Sequence, residues 1–370
     1  MKVVVFCHSL VSDWNHGNAH FLRGVCSELI ARGHDVSVLE PRDGWSRTNL
    51  TRAEGETPVR AFARHFPELE STEYDLDTLD LDQALDHADL VLVHEWSEPE
   101  LVARIGRHRQ AGGGYRLLFH DTHHRAVTAP REMARFDLAH YDGVLAFGEV
   151  IRRLYLARGW TQRAWTWHEA ADARVFYPHP PVPSPDDLVW VGNWGDGERA
   201  RELREFLLDP ARRLRLDGAI YGVRYPWRAR LRVRWSGLRY CGWIANYRAP
   251  ALFARHRVTV HVPRRPYVQA LPGIPTIRVF EALACGIPLI CAPWDDAEGL
   301  FRPGHDYLQV SAGSEMSRAL REVIHDRALA ATLRERGIAA IQVRHTCAHR
   351  VDELLAIHDT LTTASSKTAG

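Results

Sequence analysis

The chain has 370 residues, with 47 Lys and Arg against 46 Asp and Glu, and a formal charge of +1. That length exceeds one compact domain and makes two the expectation, while 45% hydrophobic and 25% charged residues exclude a mostly disordered chain. No run of about 18 apolar residues is present, so no transmembrane segment is expected; six scattered cysteines without a C-x-x-C pair point to reduced thiols and a cytoplasmic protein, not to zinc or a disulfide framework.

The opening MKVVVFCHSL has too short an apolar run for a secretory signal and reads as a buried strand, Lys2–Cys7. A polar loop follows, then a helix over 19–31 with Gly33 in the C-cap position. Strands are expected at Asp35–Glu40, Asp89–His94, Tyr115–Phe119 and Gly143–Phe147, separated by helix-like stretches. Such an alternation predicts a parallel sheet with helices on both faces.

Five prolines in FYPHPPVPSPDD, residues 176–187, fit neither a helix nor a central strand and mark a linker. The alternation restarts with strand Asp187–Val191, a glycine loop, helix Glu198–Leu208 and strand Asp217–Tyr221. Strand Arg257–Val262, helix Thr276–Cys285 and strand Ile287–Cys291 follow, and the chain is expected to be helical from Ser314 to about Leu361. The expected organisation is an α/β protein of two tandem Rossmann-like domains facing a cleft. They cover 1–172 and 187–345, with a linker at 173–186, a C-terminal helix at 346–361 and a disordered tail at 362–370. Residues 1–170 hold 19 basic and 25 acidic side chains and residues 171–370 hold 28 and 21, so the basic half is the better partner for an anion.

Four stretches carry possible chemistry. Gly192-Asn193-Trp194-Gly195-Asp196-Gly197, between a strand and a helix bearing Arg199, sits where backbone N–H groups hold phosphate, although its G-x-x-G-x-G spacing is neither the dinucleotide fingerprint nor the P-loop; the alternative is a βα loop without a ligand. In LPGIPTIRVFEALACGIPLICA, residues 271–292, Glu281 interrupts an apolar helix with Arg278 three positions before it, so a surface ion pair competes with a ligand-binding carboxylate. His120-Asp121-Thr122-His123-His124-Arg125 follows a strand and offers a cleft-facing His, a structural one, or a metal site lacking an identifiable third ligand. The segment 224–240 holds many Arg with Trp and Tyr between them and reads as an Arg-rich surface more readily than as a nucleic-acid patch.

The stretch PTIRVFEALACGIPLI, followed by PWDDAEGLF and PGHDYL, resembles the signature region of GT-B glycosyltransferases of the family 4 (group 1) type, and most of all their spore-maturation-type branch. The resemblance is specific over residues 256–312. It implies a C-terminal helix crossing back to the first domain and transfer of a sugar from a nucleotide diphosphate sugar, expected to be a UDP-sugar, in a bacterial protein. The acceptor (glycan, lipid, protein or small molecule) is left open; no cofactor, metal or nucleic acid is expected. By the same resemblance Glu281 accepts from the donor ribose, Gly273, Ile274 and Thr276 lie against the donor sugar and diphosphate beside Arg278, and Gly192, Asn193 and Arg199 hold the diphosphate. Gly17, Asn18 and Glu169 lie on the acceptor side, and His123 or His120 acts near the transferred sugar. Two departures stand out. The first of two acids usually found eight positions apart falls on Gly273, and of the usual phosphate-loop cations only Arg199 aligns, with Arg264 and Arg265 as replacements. An epimerase or phosphorylase of the same fold, or a non-catalytic nucleotide-sugar binder, are the rival readings; a NAD-dependent oxidoreductase is disfavoured, since no G-x-G-x-x-G follows either first strand.

Overall fold

The computed structural model describes residues 1–195 and 197–368, the last four by their backbone only; Asp196 of the glycine loop and the tail residues 369–370 lie outside the described residues. The chain divides into two compact units, one formed by Met1–Glu169 with the segment from Cys347 onward, the other by Ala170–Thr346.

In the first unit seven strands form one parallel sheet: β1 (Lys2–Phe6), β2 (Asp35–Pro41), β3 (Ser71–Tyr74), β4 (Leu90–His94), β5 (Arg116–Asp121), β6 (Gly143–Ala146) and β7 (Ala164–Thr166), in the order 3-2-1-4-5-6-7. Central strands of such a sheet are covered on both faces, which is why β1 and β4 read as continuous apolar runs; Val3, Val4, Leu90 and Val91 are fully buried, with Val3 in register with Leu90. The chain leaves β1 toward β2 on one side and returns to β4 on the other. The crevice outside their carboxyl ends is therefore the ligand position of an open α/β sheet. The Cys347–Thr368 helix closes this unit: Arg32 Nη1 donates to Asp352 Oδ1 at 2.6 Å and Trp167 Nε1 to the Arg350 carbonyl at 2.8 Å. It runs past the expected end at Leu361, so residues 362–368 are helical where a disordered tail was expected.

The second unit holds a six-stranded parallel sheet of β8 (Asp186–Val191), β9 (Gly218–Tyr221), β10 (Arg239–Tyr240), β11 (His256–His261), β12 (Leu289–Cys291) and β13 (Leu308–Gln309), in the order 10-9-8-11-12-13. Its order reverses between β8 and β11. Leu188, Trp190, Ile220, Val258, Val260 and Ile290 form the centre of its core. The helix expected over 198–208 is different: only Ala200–Leu203 is α-helical, Arg204–Leu208 is a π-turn, and Asp209–Leu214 is α-helical again. Pro210 has no N–H to give to the carbonyl four residues earlier, and the chain widens one turn to pass it.

Among the described residues no helix is long and apolar enough to cross a membrane.

Candidate functional site

In the second unit the loop after β8 is folded in on itself. Gly192 N donates to the Tyr221 carbonyl at 2.8 Å and Trp194 N to the Val223 carbonyl at 3.3 Å, while the Gly192 carbonyl accepts from Tyr225 Oη at 2.8 Å. The Asn193 Oδ1 accepts from Val223 N at 2.8 Å. The amides at Gly192 and Trp194, expected to cradle phosphate, are thus committed to the protein's own backbone.

Arg199 is also turned inward. Its guanidinium donates to the carbonyls of Val262 (2.9 Å) and Asn193 (2.6 Å) and stacks over the Trp190 ring at 5.2 Å. It clamps the loop to the end of β11 instead of projecting toward solvent, which corrects its expected place as the phosphate-loop cation. Burial, with Arg264 and Arg278 nearby, pulls its pKa down to about 10. Arg264 is the more open of the group: its side chain is 23% exposed and lies 3.4 Å from Glu198.

Beyond β11 the turn 273–276 leads into the Ile277–Cys285 helix. Gly273 has φ +86°, in the left-handed region that glycine adopts without strain, and its N–H donates to the Asp295 carbonyl at 2.6 Å. Ile274 is buried. Thr276 stands at the helix N-cap in extended conformation, but its hydroxyl does not cap the helix; it meets His261 Nε2 at 3.0 Å. The first N–H groups of the helix therefore lack a side-chain cap and carry its positive end, beside Arg278. His261, which sequence reasoning did not single out, ends β11, and its pKa is held at about 3 by burial and then by Arg199 and Arg278, so it stays neutral. Glu281 is fully buried and accepts from Arg278 Nη1. The pairing with Arg278 is real, but the carboxylate is buried and not at the surface.

In the first unit three strands end the same way: apolar, then histidine. His8 follows β1, His94 ends β4 with Glu95 next in the chain, and His120–Asp121 end β5. Folding brings them together with His16, ring to ring, at 5.0 Å (His8–His16), 6.1 Å (His16–His94) and 5.4 Å (His94–His120). Burial holds His8 at about 4 and His120 at about 3, with His16 and His94 well below their ordinary value. His120 packs on Trp167 at 4.8 Å and Phe21 at 5.9 Å and is sealed from solvent, which corrects its expectation as an acid–base group. His123 is half-buried; its N–H donates to Asp121 Oδ1 at 3.0 Å and its ring meets Trp96 at 5.1 Å.

Beneath these rings Glu95 accepts from Arg125 Nε at 3.1 Å and Nη2 at 2.5 Å, and Arg125 lies over the Trp96 ring at 3.9 Å. Thr122 Oγ1 links Glu95 (3.4 Å) to His94 Nε2 (3.0 Å). Burial, then Asp121, pushes the Glu95 carboxyl up against the pull of Arg125. Glu95, His8, His16 and His94 are functional candidates the sequence reading missed; the repeated histidine after an apolar strand was the available signal. Two of the residues expected on the acceptor side meet: Asn18 Nδ2 donates to Glu169 Oε1 at 3.0 Å, both buried, next to exposed Gly17. Among the described residues no group of three or more His, Cys, Asp or Glu is arranged to hold a metal ion. A groove of about 300 Å³ in the second unit, between Pro181, Pro183, Phe253 and Ile287, contains none of these candidates.

Two sheets, each with its candidate side chains at the carboxyl ends of the strands where the order reverses, define a recognisable plan. Sucrose-phosphate synthase from Thermosynechococcus elongatus superposes over 98% of this chain and 100% of its own, at 15% identity and a TM-score of 0.67. The fold is that of the GT-B glycosyltransferases. HepE from Anabaena in complex with UDP-glucose matches 96% of this chain and 99% of its own at 14% identity and TM-score 0.65. An alpha-glucosyltransferase in complex with UDP and a 13-mer DNA matches 97% and 99% at 13% identity and TM-score 0.71. The model of a family described as glycosyl transferase-like matches residues 201–356. No curated protein matches the chain significantly in sequence. The resemblance to the spore-maturation-type branch is carried by the sequence motif alone.

Proposed function

We propose that this protein is a glycosyltransferase that moves a sugar from a nucleotide diphosphate sugar, a UDP-sugar by preference, to an acceptor hydroxyl. The observation that carries the reading is the uncapped start of the Ile277–Cys285 helix beyond β11, flanked by Arg278, which is paired with Glu281, and by Arg264, which lies 3.4 Å from Glu198. A leaving diphosphate develops negative charge, and fixed N–H dipoles and guanidinium groups stabilise it without a metal. The glycosyl transferase-like match over residues 201–356 and the UDP complexes of two similarly folded proteins support the same reading. In the first unit half-buried His123 is the group assigned to proton transfer or to the transferred sugar, while burial keeps His120 and His94 neutral.

A thermal-shift screen with UDP-, GDP-, ADP- and dTDP-sugars tests it, because a ligand that binds only the folded state raises the melting temperature by mass action. Stabilisation by a UDP-sugar, followed by release of UDP in the presence of an acceptor, is the expected result. No stabilisation by any of the four would remove the donor reading.

A further inference from the structure

The Trp227–Trp235 helix, WRARLRVRW, carries a face that nothing in the fold uses. At about 100° per residue, Ala229 and Val233 point one way and Trp227, Leu231 and Trp235 point directly opposite. The contacts agree: Ala229 and Val233 are buried, whereas Trp227 is 66%, Leu231 42% and Trp235 72% exposed. The same wheel sets Arg230 and Arg234 on one side of this apolar crest and Arg228 and Arg232 on the other. All four are exposed; Arg230 Nε donates to the Tyr225 carbonyl at 3.1 Å and its guanidinium lies over the Tyr240 ring, Arg228 lies over the Trp227 ring, and among the described residues none of the four pairs with a carboxylate. The helix contains no acidic residue.

We propose that this helix is a peripheral membrane-docking surface that lies flat on an anionic lipid bilayer. The inference is independent of the donor reading. Two indoles and a leucine on one exposed helix face insert into the headgroup boundary, where an indole keeps its N–H hydrated while burying its ring. The flanking guanidinium groups reach lipid phosphates on both sides, and each basic group near such a surface contributes about 1 kcal/mol, roughly fivefold in partitioning. Charge complementarity selects the lipid class: the face is cationic without local compensation, so zwitterionic lipid alone offers it little. A single-stranded nucleic acid is the less suitable occupant. Its sites combine a groove that follows the backbone with aromatic rings lining it, and here the rings are well exposed on the outer face of a helix. The absence of a spanning helix among the described residues agrees with a protein that would rest on a membrane without crossing it.

The test uses the full chain and vesicles of phosphatidylcholine with and without phosphatidylglycerol. Sedimentation with the anionic vesicles only, weakened by salt and accompanied by a blue shift of tryptophan emission, is expected. Trp227→Ser/Trp235→Ser should remove the shift and lower partitioning at least about tenfold, with melting temperature unchanged because both side chains are exposed. Arg228→Gln/Arg232→Gln should lower it about 25-fold at low salt, and it carries the test should the tryptophan pair disturb folding. Failure of the unmodified protein to bind anionic vesicles, or binding indifferent to both pairs of changes, overturns the proposal. Binding of a single-stranded oligonucleotide that both pairs abolish, without vesicle binding, overturns it in favour of nucleic acid.

Discussion

Glu298 lies directly over Gly273: a Cβ added to Gly273 would stand 2.5 Å from Glu298 Cγ and 2.7 Å from its Oε1. The turn that lacks an acid of its own thus has a carboxylate from the loop after β12 at the same point. Glycine is required there twice over, by a φ of +86° and by that contact.

Gly273→Ala should therefore lower stability by about 1–2 kcal/mol from the left-handed backbone alone. Glu298→Ala in the same chain should recover only the steric part, because the backbone conformation is unchanged. Urea unfolding of the two single variants and the double variant measures the coupling. If Glu298 reads the donor sugar, Glu298→Gln should raise the KM for the sugar nucleotide while leaving the Kd for the nucleoside diphosphate as it was; equal changes in both would place Glu298 on the diphosphate side.

Glu281 is fully buried, whereas Arg278 keeps 17% of its side chain exposed, so removing the carboxylate leaves a guanidinium that water still reaches. Glu281→Gln should cost about 1–3 kcal/mol of folding stability, whereas Arg278→Met, which leaves the buried carboxylate without that partner, should cost more than Arg278→Met with Glu281→Leu. If Glu281 also accepts from a ribose hydroxyl, nucleotide affinity should fall about 10–150-fold. Calorimetric titration of UDP into the folded Glu281→Gln protein separates the two effects, since an unchanged Kd with lowered stability makes the carboxylate structural.

His123→Ala should lower turnover about 10²–10⁴-fold if the ring carries a proton, with nucleotide affinity nearly intact. His120→Ala should act differently, lowering stability by opening space against Trp167 and Phe21. Turnover per folded molecule that is unchanged in His123→Ala would remove His123 from the chemistry.

Acid should destabilise the fold early. Burial holds His8, His16, His94, His120 and His261 far below the ordinary 6.5, so their unfolded forms bind protons that the folded forms refuse. Their full contribution is present above about pH 6.5 and is lost as pH falls, each by up to about 1.4 kcal/mol per pH unit. Glu95 and Asp121, pushed up chiefly by burial, work in the opposite direction, their contribution being lost as pH rises above about 4.5. Five rings against two acids leave a net loss between about pH 6.5 and 4.5. Unfolding free energies at a series of pH values in that interval should decline steadily; a flat profile would mean that the rings are charged in the folded protein.

Turnover should survive chelators, because the diphosphate's charge is assigned to helix N–H groups, Arg264 and Arg278. Activity lost in EDTA and restored by Mn²⁺ or Mg²⁺ would transfer that role to a metal.

The strands were legible in the sequence because buried parallel strands leave unbroken apolar runs such as Val3–Phe6 and Leu90–Val93, and the Pro-rich stretch after Phe176 could belong to neither helix nor sheet. Glycine and proline positions located the turns, and the 271–292 motif marked the stretch assigned to the donor, since both signals are local. Side-chain direction was not local. Arg199 and Glu281 look like solvent-reaching charges in a linear reading, yet one is bound to the carbonyls of Asn193 and Val262 and the other is sealed against Arg278. Three histidines at the ends of separate apolar strands look unrelated until parallel pairing places β1, β4 and β5 side by side and stacks their ends. Sequence alone determined the long apolar strands and their order, because these follow from local hydrophobic period and turn chemistry; the short outer strands β3, β7, β10 and β13 carry no such run and emerge only on pairing with their neighbours, and only the tertiary structure decided which charges face inward, because that depends on carbonyls and carboxylates contributed by strands and helices distant in the chain.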